Sequence, residues 1–138
     1  MGYTVKYEDK SFELEADQCS YFINDEENPI EGVDPELILG EMAQSDKVHF
    51  QKQYYDECCE VCEKNRKEGA KNFDYLEVHF YLFSKEGKYV MSSLSVDYEK
   101  KNLPALLKSG TIDGGYLVNV NVCEQCGDYT IDMEFGLW

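Results

Sequence analysis

Basic residues are scarce. Thirteen Lys and Arg stand against 28 Asp and Glu, a formal charge of -15. The cations are also unevenly placed: Lys10 is the only one from Glu8 to Glu36, and none follows Lys108. A chain charged this way repels phosphate backbones and offers no basic stripe for counterion release, which disfavours nucleic-acid binding. Anionic membrane surfaces repel it as well. Long apolar runs are missing too, and none approaches the ~20 residues that span a bilayer. The start, M-G-Y-T-V-K-Y-E-D-K, lacks the apolar core of a secretory signal. Lys6 stands where a myristoylation motif needs Ser or Thr. A cytoplasmic protein is the expectation. Histidine is nearly absent, with His49 and His79 the only two, and there is no H-E-x-x-H, nucleophile motif or Gly-rich phosphate loop. With no catalytic constellation in view, the reading leans away from an enzyme.

What is present suffices for a folded domain. A chain of 138 residues with 43% hydrophobic and 14% aromatic content can bury a core by itself, so residues 1–138 are read as a single domain. Tyr3 to Tyr7 and Ser11 to Glu15 alternate apolar and polar residues and predict a hairpin. Asp34-Pro35-Glu36 predicts a helix start, with Asp34 capping the free amides and Pro35 in the first turn; the helix then runs to about Gln44. Lys47 to Asp56 reads as a strand because its aromatics and Val48 suit a pleated surface. Tyr75–Phe83 and Tyr89–Val96 flank a turn with Gly87 at the tight position, a second hairpin. Asn102 to Ser109 predicts a short helix closed by Gly110. Gly115–Val122 and Tyr129–Phe135 form a third hairpin. The predicted fold class is therefore α+β: a mainly antiparallel sheet built from hairpins, with two short helices.

Six cysteines in a reducing compartment point to thiols or metal ligands rather than structural disulfides. Four of them form two C-x-x-C pairs, Cys59-Glu-Val-Cys62 and Cys123-Glu-Gln-Cys126, the second lying in the turn of the third hairpin. Each pair can aim two thiolates from one turn into a tetrahedral site, and two pairs complete a four-cysteine shell with Zn–S near 2.3 Å. Gly127 strengthens the second pair, since a left-handed residue after the second cysteine turns amides toward the sulfurs. The first pair has Glu63 in place of that glycine and Cys58 as an extra neighbouring thiol. Residues 63–122 separate the pairs, so the metal would pin the last hairpin to the segment before the central one. Zn2+, one per chain, is the expected ion, with Lys64, Arg66 and Lys67 offsetting thiolate charge; Fe would take the same ligands. Four sulfurs leave no open position for a catalytic water. Cys19 is expected to be a buried thiol. His79 reads as a partly exposed sheet histidine beside Glu77 and Tyr81. Asp25/Glu26 and Asp97/Glu99 read as surface charges, and Phe135-Gly-Leu-Trp138 as an apolar end tucked into the core.

Strand, Cys123-Glu-Gln-Cys126-Gly127, strand resembles the knuckles of zinc ribbons and rubredoxin-type sites. The Cys58-Cys59-x-x-Cys62 plus Cys123-x-x-Cys126-Gly127 layout, in an acidic and tyrosine-rich chain, resembles a family of small uncharacterised Firmicute proteins. That resemblance implies the same fold over most of the chain and brings no catalytic residues. The function expected from all of this is a non-enzymatic protein-binding module with a structural zinc site of four cysteines. A thiol redox protein using Cys59 and Cys62 is the alternative. A nucleic-acid-binding zinc ribbon is the further one, against the charge unless Lys64, Arg66, Lys67 and Lys71 form a local patch.

Overall fold

The computed structural model of the chain describes residues 2–45, 48–55, 73–95, 98, 103–124 and 126–136. The first hairpin forms as its alternation predicts. β1 (Gly2–Tyr7) pairs antiparallel with β2 (Lys10–Glu15), and Val5 and Leu14 are fully buried from its inner face. Helix α1 (Pro35–Ala43) begins where Asp34 Oδ1 accepts the Leu37 amide at 2.8 Å, with Pro35 in the first turn. It buries Ile38, Leu39 and Met42 in the same core as the hairpin.

Among the described residues the main sheet has six strands: β3 (Cys19–Ile23), β4 (Gln51–Tyr55), β5 (Phe73–Lys85), β6 (Lys88–Ser92), β7 (Gly114–Cys123) and β8 (Tyr129–Phe135). Their order is β3-β8-β7-β5-β4, with β6 also on β5. β7 occupies one edge of β5 from Tyr75 to Ser84. β4 and β6 therefore share the other edge, β4 along Phe73 to Glu77 and β6 along Leu82 to Lys85. The β5–β6 turn is the tight pair Glu86-Gly87, both left-handed at φ 53° and 79°, the twist a two-residue hairpin requires.

One face of this sheet is the core. Val78, Val120, Ile131 and Phe22 stand in one cross-strand row, and Leu76, Val122, Tyr129 and Cys19 in the next. Phe80, Val118 and Met133 continue it. The first hairpin and α1 cover these rows. Tyr129 also donates its hydroxyl to the Glu15 carbonyl, and burial pushes that phenol up. A smaller core lies on the opposite face at the far end of β5, where helix α2 (Leu103–Lys108) and Ile112 pack Leu106 against Phe83 and Met91. Gly110 follows α2 with φ 76°, a left-handed stop as expected.

The structure corrects the expected fold class. The described residues are mostly β, 53% strand and 18% helix, and their six-strand sheet is mixed rather than built only from antiparallel hairpins. The cause is β3, which joins β8 in parallel with Tyr21 opposite Thr130 and Ile23 opposite Asp132. Its partner lies more than a hundred residues away, so no local turn signal announces the pairing. β6 also ends earlier than Val96. The Ser92 amide donates to Ser95 Oγ at 2.9 Å and the Leu94 amide to Ser92 Oγ at 3.1 Å, closing a turn over residues read as alternation. Both serine hydroxyls and that of Tyr89 then donate to Glu41 Oε1, tying α1 to the strand end. β4 is shorter than the predicted strand. Among the described residues no group of three or more His, Cys, Asp and Glu could hold a metal, and the expected four-cysteine pin is not shown there; Cys59 and Cys62 lie outside those residues. No helix among the described residues is long and apolar enough to cross a membrane. Leu137, Trp138, Asp97 and Glu99 lie outside the described residues. Asp25 is not an idle charge: its carboxylate accepts the amides of Phe135, Asn28 and Glu27, the first of which does most to hold it below the usual carboxylate range.

Gly40 sits in the middle of α1 with nothing within 4 Å of the position a Cβ would take. Replacing it removes backbone freedom from the unfolded chain without a clash. Gly40→Ala should raise stability by about 0.5–1 kcal/mol in urea unfolding; a loss of stability would show that α1 packs more tightly than described.

Candidate metal knuckle at the turn between β7 and β8

The last hairpin closes on Cys123-x-x-Cys126-Gly127. Cys123 N donates to the Asp128 carbonyl at 2.8 Å, and Gly127 N to the Cys123 carbonyl at 2.9 Å, so the turn is sealed at both ends. Gly127 takes φ 82°. A Cβ there would come within 2.8 Å of Phe12 Cδ1, so the first hairpin also leaves room only for glycine. The left-handed step aims the Asp128 amide at Cys126 Sγ, 3.4 Å away. That is the donor expected of a knuckle, because an amide dipole offsets thiolate charge. Cys123 is buried and Cys126 exposed.

Buried charge anchors the turn. Glu124 is only 4% exposed, and its Oε1 meets Lys52 Nζ at 3.2 Å and Lys10 Nζ at 3.4 Å. Lys10 reaches the Glu124 carbonyl as well. The hydrogen bond to Glu124 is the main reason Lys52 is pushed up from its ordinary value. One carboxylate thus grips both β2 and β4. Asp128 is held from the other side by the Ser20 hydroxyl of β3. Sequence reasoning missed both ties. Glu124 occupies an unremarkable position between the two cysteines, and no spacing rule links it to a lysine 114 residues away.

Cys59, Cys62, Cys58, Glu63, Lys64, Arg66, Lys67 and Lys71 lie outside the described residues. Cys19 is a half-buried free thiol rather than a fully buried one; its Sγ donates to the Tyr21 carbonyl at 3.1 Å, and burial raises its pKa. His49 is exposed. His79 is a partly exposed sheet histidine, as read, with its Nε2 bound to Glu77 Oε1.

The family described as Protein of unknown function (DUF3785) matches residues 3–136. No curated protein and no solved structure matches the chain.

Gly127→Ala forces a side chain into a left-handed position and against Phe12. The strain should cost about 1–3 kcal/mol in urea unfolding. An unchanged midpoint would mean that this turn does not hold its knuckle shape in solution.

Proposed function

The chain belongs to the DUF3785 family, a family of unknown function, and from that premise we propose that it is a small acidic binding module whose last hairpin is fastened by a structural zinc ion. The ligands in this reading are Cys59, Cys62, Cys123 and Cys126. The single observation that carries it is the knuckle geometry, a glycine at φ 82° that brings the Asp128 amide to Cys126 Sγ. Such an amide is useful to a thiolate, and thiolates persist near neutral pH when a metal takes them.

Chain reach supports the second half of the shell. β4 and β7 run in the same direction on either side of β5, so Tyr55 and Cys123 end at the same side of the sheet. Two strand spacings and the offset between Phe73 and Tyr75 put them roughly 12 Å apart. Cys59 follows Tyr55 by four residues, and four residues reach about 14 Å. The Lys52–Glu124 pair holds β4 to the turn just ahead of that exit. A shell of four cysteines supplies cross-linking and no open coordination position, which fits a protein that acts by presenting a surface to another protein. The same four sulfurs would take iron, and an iron-loaded chain would be visibly coloured.

Metal analysis of the chain purified without chelator tests this. One zinc per chain is expected. Cys126→Ser should lose the metal and unfold earlier, while Cys19→Ser keeps it. Metal-free protein of unchanged thermal stability, or zinc retained in full by Cys126→Ser, would refute the assignment.

A further inference from the structure

The second face of the sheet carries an arrangement that the zinc reading does not use. β5, β7 and β8 place two cross-strand rows side by side on it: Glu77, Asn121 and Thr130 in one, His79, Asn119 and Asp132 in the other. The rows are ~7 Å apart and neighbouring strands ~4.8 Å. Among the described residues, helix α2 packs over the end of this face near Phe83.

Three oxygens in these rows are buried without a hydrogen-bond partner among the described residues: Glu77 Oε2, Asn119 Oδ1 and Asn121 Oδ1. Glu77 is only 8% exposed, and its other oxygen is taken by His79 Nε2. A carboxylate so deeply placed normally has both oxygens satisfied, because an unpaired buried acceptor costs free energy that folding does not return. Three such acceptors in one patch form a consistent set: each asks for a donor. Negative charge surrounds them. Desolvation pushes the Asp132 carboxyl up, with Glu77 and Glu134 adding like charge and His79 opposing them.

We infer that this patch is a docking site for an arginine side chain of a basic protein partner. A guanidinium carries five donors and no acceptor in a rigid fork, so one group can serve several fixed oxygens at once. A divalent cation fits less well. It wants six or more oxygen ligands including carboxylates, and no group of three or more His, Cys, Asp and Glu that could hold a metal occurs among the described residues. Tyr81 lies on the same face two residues beyond His79 and is 42% exposed, open to stacking on a cation. Tyr21 and Ile23 of β3, both more than half exposed, stand on that face beside Thr130 and Asp132 and give the partner apolar contact. The formal charge of -15 draws basic chains toward the protein from a distance. This site rests on the binding-module reading but not on the metal.

The test uses the full chain, isotope-labelled and of measured zinc content, titrated with a short arginine-rich peptide, its lysine counterpart and calcium chloride. Saturable shifts of the Asn119 and Asn121 side-chain amides are expected with the arginine peptide, and weaker ones with lysine. Glu77→Gln should weaken peptide binding at least tenfold. Glu13→Gln, which removes one exposed carboxylate from β2, should leave it within twofold. Equal weakening by both variants would reduce the effect to general charge attraction and overturn the site. So would peptide binding that leaves both amides unmoved in the unaltered protein, a readout that needs no variant to fold. Calcium producing those shifts where the peptide does not would make the patch a metal site instead. Because zinc is measured on the same sample, failure here with zinc in place leaves the fastening of the hairpin intact.

Discussion

The ladder between β5 and β7 is the constraint on which the rest depends. It runs from Tyr75 opposite Cys123 to Ser84 opposite Gly114 without interruption. Because side chains alternate, this one register decides three things together. It sends Leu76, Val78, Phe80 and Leu82 to the core with Val122, Val120, Val118 and Tyr116. It leaves Glu77, His79, Asn119 and Asn121 on the opposite face. It also sets Cys123 at the end of the sheet where β4 runs out. A slip of one residue would bury the polar row and expose the valines, so the register is strongly specified. Both edges of β5 are used, and the core rows continue across β8 to β3.

Two kinds of charge organisation stand on that frame. At the knuckle a buried carboxylate is engaged through one oxygen: Glu124 draws Lys10 and Lys52 in and fixes the turn to two strands at once. On the opposite face the carboxylate of Glu77 meets a histidine, and its second oxygen and the amide oxygens beside it have no donor among the described residues. The first arrangement holds the fold through Glu124 Oε1 and leaves only Oε2 without a partner among the described residues. The second leaves three buried acceptors without a donor among the described residues.

Much of the local structure was legible. Alternation gave the three hairpins because each pairs neighbours in sequence, and cap chemistry gave both helices because Asp34, Pro35 and Gly110 act within a few residues of where they stand. The knuckle was legible for the same reason: Gly127 dictates the turn around it. What escaped notice is long-range. The strand Cys19–Ile23 has few residues and no turn of its own, and its parallel partner is the last strand of the chain, so an expected α+β hairpin sheet proved to be a mostly β mixed one. The end of β6 was misjudged because serines at 92 and 95 look like the polar half of an alternation yet bond to backbone and to Glu41. Glu124 and Glu77 carried no mark in the sequence that they would be buried, since burial of a carboxylate is decided by the strands around it and not by its neighbours in the chain.

The central claim is that sulfurs from two distant segments meet on one ion at the end of this ladder. X-ray absorption at the zinc edge of the purified chain reads the ligand shell directly. Four sulfur scatterers at about 2.3 Å are predicted. A shell made up in part of nitrogen or oxygen, or one with only two sulfurs, would contradict it.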